Sequence, residues 1–325
     1  MEWLIASGGY AEDIPEYDCS ASDRQPGRSN VALGVAFICY GVFAEIIYVL
    51  DLAVMLRKDH RRLSCYKIMI CLGLFDMAAI VVNSFLTGYF WIMGSNYCTS
   101  PTLIYIAGAF GLGLWCGACA LCFILIINRL LDLWNKDLMQ SLFKDGRTYI
   151  VLTIPVFYFA YFFFFTAPVL FNSDMASWFF YTFVPGHDPT KYHNMPHSLN
   201  NIFVVAITCL LYVQYSRILL RYTKVGSGVS WTQKSFFIQS AVICAANLIG
   251  SLIYVYMQFF PTPMFLIYVG HVSWMLGHGC PAIVYLLLNR TIQREVLAMF
   301  GLQRAQKITS TITKSPISTT PMTDS

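Results

Sequence analysis

The sequence predicts an all-α membrane protein, a bundle of seven transmembrane helices with its N-terminus outside and a short amphipathic helix after the seventh span. Three observations predict it. Of 325 residues, 57% are hydrophobic and 12% charged, about half the charged share of a soluble domain, so a single water-soluble core cannot hide the apolar excess. Seven windows of mainly apolar residues, 31–56, 66–92, 102–127, 148–171, 199–220, 235–259 and 264–288, take up more than half the chain. The shortest would rise about 33 Å as a helix, enough to cross a hydrocarbon core of about 30 Å. Finally, 18 of the 21 Lys and Arg residues fall on one side of these windows and only Arg24, Arg28 and Lys191 on the other, which places the N-terminus outside. A soluble enzyme, a nucleic-acid reader, a disulfide-knotted secreted module and a β-barrel all sit poorly with this pattern.

In chain order, residues 1–30 form an extracellular tail. It is acidic, with Glu2, Glu12, Asp13, Glu16, Asp18 and Asp23, so the net charge of +4 describes a basic inner face and not a nucleic-acid footprint. The tail lacks a basic start, an apolar run and a small-residue cleavage site, so no cleaved signal peptide is expected and the first helix serves as its own insertion signal. Residues 31–288 hold the seven spans. Their connections are short except for the 27 residues 172–198, which carry Trp178-Phe179-Phe180-Tyr181 and then His187, His193 and His197; a loop of that length is usually functional. Pro261-Thr262-Pro263 makes the sixth and seventh spans antiparallel neighbours. In 289–302, Ile292, Val296, Leu297 and Phe300 fall on one side and Gln293, Arg294 and Glu295 on the other, the pattern of a helix lying on the inner leaflet lipid. Residues 303–325 are Ser/Thr-rich and read as a disordered cytoplasmic tail open to kinases. There is no internal repeat of the kind that marks many transporters. The sequon Asn289-Arg290-Thr291 falls on the inner side and is expected to stay unmodified.

Ionisable residues within a span are functional candidates by default. Here they are Glu45, Asp51, Asp76, His271 and His278. Asp76 and Asn83, seven residues apart, share a helix face, and with Glu45 and Asn247 they form a candidate polar core. Such a core is either a cation- or proton-sensitive switch or interhelical glue. Tyr268, His271, Met275 and His278 make one stripe of the seventh span with Trp274 beside it, either a pocket wall or a packing seam. Cys116, Cys119 and Cys122 spread over about a third of a helix, a poor metal geometry, and read as packing residues. The loop histidines lack a thiolate and read as solvated more readily than as a metal site. No metal or cofactor is expected. Cys19 and Cys98 lie outside, where disulfides persist, and eleven residues reaching about 35 Å allow a bridge between them.

Longer runs are more specific than topology. YDCS from Tyr17, CYKIMICLGLFDM from Cys65, PTLIYIAGAFGLGLWCGAC from Pro101, NRLLDLW from Asn128, PVLFNS from Pro168, FFPTP from Phe259 and HGCPAIVYLLLNRTIQREV from His278 closely resemble nematode chemoreceptors of serpentine receptor class T. The resemblance covers residues 17–300. It implies a seven-helix G-protein-coupled chemosensory receptor of the plasma membrane, in sensory-neuron cilia, with a small-molecule ligand (odorant or pheromone-like), a heterotrimeric G protein, and kinase and arrestin at the tail as partners. Compared with rhodopsin-like receptors, Asp76 resembles their sodium-binding Asp, while Glu45 stands where they usually have Asn. Asn128-Arg129-Leu130 stands at the Asp-Arg-Tyr site, and Pro281-Ala282-Ile283-Val284-Tyr285 replaces Asn-Pro-x-x-Tyr. Trp-x-Pro is missing from the sixth span, and the long outer loop has no cysteine for Cys98.

The expectation drawn from this is a ligand pocket among the third, fifth, sixth and seventh spans, with Trp115, Tyr254, Tyr268, His271 and Trp274 as its residues, and an inner face coupled to a G protein around Arg129 and Tyr285. The alternative is a seven-span ligand-gated channel or small-solute transporter. Insect chemoreceptor channels place the N-terminus inside, which the charge bias opposes. A retinal protein needs a Schiff-base lysine in the seventh span, and 264–288 contains none. An intramembrane enzyme would have only Asp51 and Asp76 to pair, with no supporting motif.

Overall fold

The computed structural model describes residues 1–224 and 231–302; the Ser/Thr-rich tail expected over 303–325 lies outside the described residues. Its helices are α1 (Glu2–Ala6), α2 (Val31–Met55), α3 (Lys58–Arg61), α4 (Ser64–Ile80), α5 (Thr87–Met93), α6 (Pro101–Trp134), α7 (Lys136–Phe143), α8 (Arg147–Phe165), α9 (Met195–Lys224), α10 (Trp231–Phe259), α11 (Met264–Leu288) and α12 (Arg290–Met299). Seven of these stretches are long and apolar enough to cross a membrane, with α4 and α5 counting as one.

The ends follow from local chemistry. Asn30 caps α2 by accepting the Leu33 N–H, as capping side chains do for orphan amides. Gly94 closes α5 at φ 65°, where a Cβ would meet the Gly27 carbonyl 2.6 Å away, so glycine is needed there. Two span limits differ most from the sequence expectation. α6 runs on to Trp134, beyond the apolar window 102–127, because Asn128, Arg129, Leu130 and Leu131 stay buried against neighbouring helices. α8 stops at Phe165 and not at 171, since Pro168 disfavours helical backbone before it and Thr166 is already extended. Between α4 and α5 the chain makes a wider π turn over Val81–Leu86, with the Thr87 hydroxyl donating to the Val82 carbonyl at 2.8 Å.

The long outer loop folds inward. β1 (Leu170–Asn172) and β2 (Ser177–Phe179) pair antiparallel with Phe171 opposite Trp178. Both rings are fully buried, in an aromatic cluster with Phe90, Trp91 and Trp274. Trp178 donates its indole N–H to Thr87 Oγ1 at 2.9 Å. Gly108 makes room for this loop, because a side chain there would overlap the Val169 carbonyl. The loop is tied to the α5–α6 connection through Asn96 Oδ1, which accepts the Ser173 N–H at 2.9 Å. The N-terminal tail lies over the same end. Cys19 is disulfide-bonded to Cys98, and the Tyr17 ring meets Tyr97, Tyr105 and Tyr192 edge-on at 5.1 to 6.1 Å.

At the inner end α12 packs back on α11 and α2. Ile292 and Val296 are buried, Leu297 is half-buried and Phe300 exposed. Glu295, placed on the polar side by periodicity, is instead buried and paired with Arg57. The basic inner loop folds over that helix and captures the carboxylate.

Candidate functional site

A cavity of about 20 Å³ lies beneath the hairpin, lined by Leu112 and Trp115 of α6, Val169, Trp178, His197 of α9, Tyr254 of α10 and Trp274 of α11. That is room for about one water molecule. Above it opens a hollow of about 220 Å³ whose walls include Phe179, Phe180, Tyr181 and Gln258. Trp178 and Tyr254 border both spaces, so these two rings form the partition between them.

Of the five residues expected at a pocket, Trp115, Tyr254 and Trp274 surround the cavity. His271 is buried beside it, with Nδ1 3.3 Å from Ser177 Oγ, and Ser177 also lies 3.4 Å from the Tyr254 hydroxyl. The His271 ring is packed among Phe37, Trp91 and Trp274. Tyr268 is half-buried and packs on the margin of the outer cluster, not on the cavity. Sequence reading singles out Trp178 in the aromatic run of the outer loop but not as a cavity residue, and it misses Ser177 and His197, the latter taken for a loop imidazole although it lies in the first turn of α9 and is buried. His187 and His193 separate from it: His187 Nδ1 is 2.9 Å from Thr182 Oγ1, and His193 packs on Phe259. No group of three His, Cys, Asp or Glu able to hold a metal occurs among the described residues.

Deeper in the bundle, Asp76 is fully enclosed. Its Oδ1 is 2.8 Å from His278 Nδ1, and its Oδ2 is 2.7 Å from the Tyr48 hydroxyl, which also lies 2.7 Å from the His278 carbonyl. Tyr48 has one proton to give, so these two acceptors share it. The hydrogen bonds of Asp76 go to His278 and Tyr48, not to Glu45, Asn83 or Asn247, with which the sequence groups it. Glu45 is half-buried, flanked on α2 by exposed Val42, Phe43, Ile46 and Val49, while Ala44, Tyr48 and Asp51 face inward. The π turn re-aims Asn83, whose Oδ1 accepts from Ser84 at 3.2 Å. Asn247 faces the Cys122 sulfur at 3.6 Å. Trp115 joins the cavity to Asp76's partner, since its ring meets that of His278 at 5.8 Å while its N–H bonds Asn201 at 3.0 Å.

At the inner end Arg129, 4% exposed, crosses to α10. Its Nη1 donates to Ser240 Oγ at 2.9 Å and to the Phe236 carbonyl at 3.3 Å, and its guanidinium lies 4.5 Å from the centre of the Phe236 ring. Tyr285 is fully buried in the same inner cluster. Asn128, standing where rhodopsin-like receptors have an acid, donates to Ser64 Oγ at 3.0 Å. In the first inner loop, burial holds the His60 imidazole below its ordinary value, with Arg57 pushing the same way and Glu295 opposing.

A water-sized cavity under an aromatic plug, an enclosed Asp–His pair and an arginine bonded to the sixth span are the three parts of the site. The profile of the serpentine type 7TM GPCR chemoreceptor Srt family matches residues 7–309. The chain belongs to that family. Serpentine receptor class T-55 of Caenorhabditis elegans is 28% identical over 302 residues, 90% of this chain and 83% of its relative. Membership makes the protein a multi-pass membrane protein of a GPCR-like chemosensory receptor family, which is not an enzyme family. The cavity, the Asp76 centre and the Arg129 clamp are therefore the features of an Srt chemoreceptor in which ligand and effector contacts are to be sought.

Proposed function

We propose that this Srt chemoreceptor detects a small, apolar or amphipathic molecule, of odorant or pheromone type, in the space beneath the outer hairpin and activates a heterotrimeric G protein at its inner face. The observation that carries this is the physical line from cavity to clamp. Trp115 forms a cavity wall, packs on His278, and His278 holds Asp76; about four turns from Trp115 along its own helix α6, Arg129 holds α10 closed. A ligand large enough to displace Trp178 or Tyr254 binds a looser packing better than this one, and that difference in affinity is what shifts a two-state bundle. Loosening α10 from Arg129 frees the inner ends of α6 and α10 for a partner. The plasma membrane of sensory-neuron cilia is the setting this role implies, with kinase and arrestin acting on the tail.

Expression in a heterologous cell with tagged Gα and Gβγ tests this. A panel of volatile and amphipathic compounds should yield a ligand-dependent fall in energy transfer in the wild type and none in Arg129→Ala present at equal surface density. A ligand-evoked ionic current without G-protein dissociation would instead favour the channel alternative.

A further inference from the structure

His197 sits in a hydrogen-bond arrangement that its protein partners alone do not satisfy. Its Nδ1 lies 3.2 Å from Gln258 Nε2 and its Nε2 lies 3.2 Å from Asn201 Nδ2. Neither amide can turn round. Gln258 Oε1 is held by the main-chain N–H of Asn194 at 3.1 Å, and Asn201 Oδ1 by the Trp115 indole N–H at 3.0 Å and by Asn200 Nδ2 at 3.0 Å. A backbone amide and an indole nitrogen only donate, so both side-chain amides must point their NH2 groups at the ring. An imidazole always carries at least one N–H. In either tautomer, one ring N–H therefore faces another N–H, and a buried donor is left without an acceptor, a costly state. His197 is 3% exposed and walls the cavity. Trp274, 5% exposed and also a lining residue of the cavity, buries an indole N–H with no acceptor among the described residues.

We infer that His197 is a specificity residue of the cavity and that it selects small molecules carrying a hydrogen-bond acceptor oxygen, such as a ketone, aldehyde, ester or alcohol, over hydrocarbons of the same shape. The inference rests on the cavity beneath Trp178 being the ligand site. An oxygen arriving between His197 and Trp274 takes an N–H that the protein leaves unmatched, while the carbon skeleton fills the aromatic walls. Gln258 borders the outer hollow and His197 borders the cavity, so this bonded pair links the linings of the two spaces.

The test uses the full chain in lipid nanodiscs and two probes of near-identical shape, cyclohexanone and methylenecyclohexane, with binding read as concentration-dependent thermal stabilisation. Cyclohexanone should reach half-saturation at about tenfold lower concentration, the worth of one buried hydrogen bond of about 1.4 kcal/mol. His197→Phe should bring the two probes level while still binding methylenecyclohexane. Gln258→Glu gives Nδ1–H an acceptor in the empty protein, so it should raise the probe-free melting temperature and shrink the ketone preference. Equal affinities in the wild type, or a preference that survives in His197→Phe, would overturn the inference and leave the cavity standing. A lowered melting temperature in Gln258→Glu with the preference intact would overturn the donor conflict itself. Binding of neither probe would overturn both the preference and the cavity on which it rests.

Discussion

Replacing Ser240 with alanine removes the shortest of the bonds that hold Arg129 to α10, 2.9 Å to a hydroxyl that in turn donates to the Phe236 carbonyl at 2.9 Å. Hydrogen bonds to a charged group contribute about 1.5–3 kcal/mol. The lower end applies, because the Phe236 carbonyl and ring still engage the guanidinium. Losing about 1.5 kcal/mol from the closed packing alone multiplies the open-to-closed ratio by about twelve, so a receptor open about 1% of the time becomes open about 10% of the time. The readout is ligand-free dissociation of Gα from Gβγ, normalised to receptor at the surface, and Ser240→Ala should raise it about tenfold. Ser240→Thr keeps the hydroxyl and should stay at the wild-type level. An unchanged or lowered ligand-free signal in Ser240→Ala would refute the claim that this clamp closes the inner face.

Three further outcomes follow from the same geometry. Trp178→Ala deletes the ring that plugs the cavity and should cost about 3–5 kcal/mol of stability, seen as a lower melting temperature together with acceptance of bulkier ligands. Cys19→Ser opens a covalent link spanning 79 residues; chain entropy bounds its worth at about 4.5 kcal/mol, and limited proteolysis should cut the tail faster while the bundle stays intact. His60 has a folded-state value below its ordinary 6.5, so the unfolded chain binds more protons as the pH drops below about 6.5 and stability is lost there, being fully present above it. The melting temperature should fall from pH 7 to pH 5.5 in the wild type and fall less in His60→Gln.

The seven spans were readable because a membrane helix advertises itself by length and apolarity, without any need for periodicity. Where other forces set the limits, the windows misjudged them. Buried polar residues such as Asn128 and Arg129 carry α6 onward, and Pro168 ends α8 early. Pairings between distant residues were not readable. His278 and Asp76 are 202 residues apart, and each was visible as a costly intramembrane group without its partner. The spacing of Asp76 and Asn83 assumed an unbroken α-helix, and Asn83 lies within the π turn over Val81–Leu86. Half the cavity came from the stripe on α11 and the aromatics of α6 and α10. The other half is Trp178, on a loop that folds back into the bundle, and His197, in a first turn of α9 that begins before the apolar window does. The conflict at His197 exists only once four side chains and a main-chain amide are brought together.

The most direct test records membrane current and Gα–Gβγ energy transfer in the same cell while ligands are applied. A G-protein-coupled chemoreceptor worked through Trp115, Asp76 and Arg129 gives ligand-evoked dissociation with no accompanying current, and gives neither in Arg129→Ala. Current that precedes or replaces dissociation, or a ligand-evoked G-protein response that persists in Arg129→Ala, would contradict it.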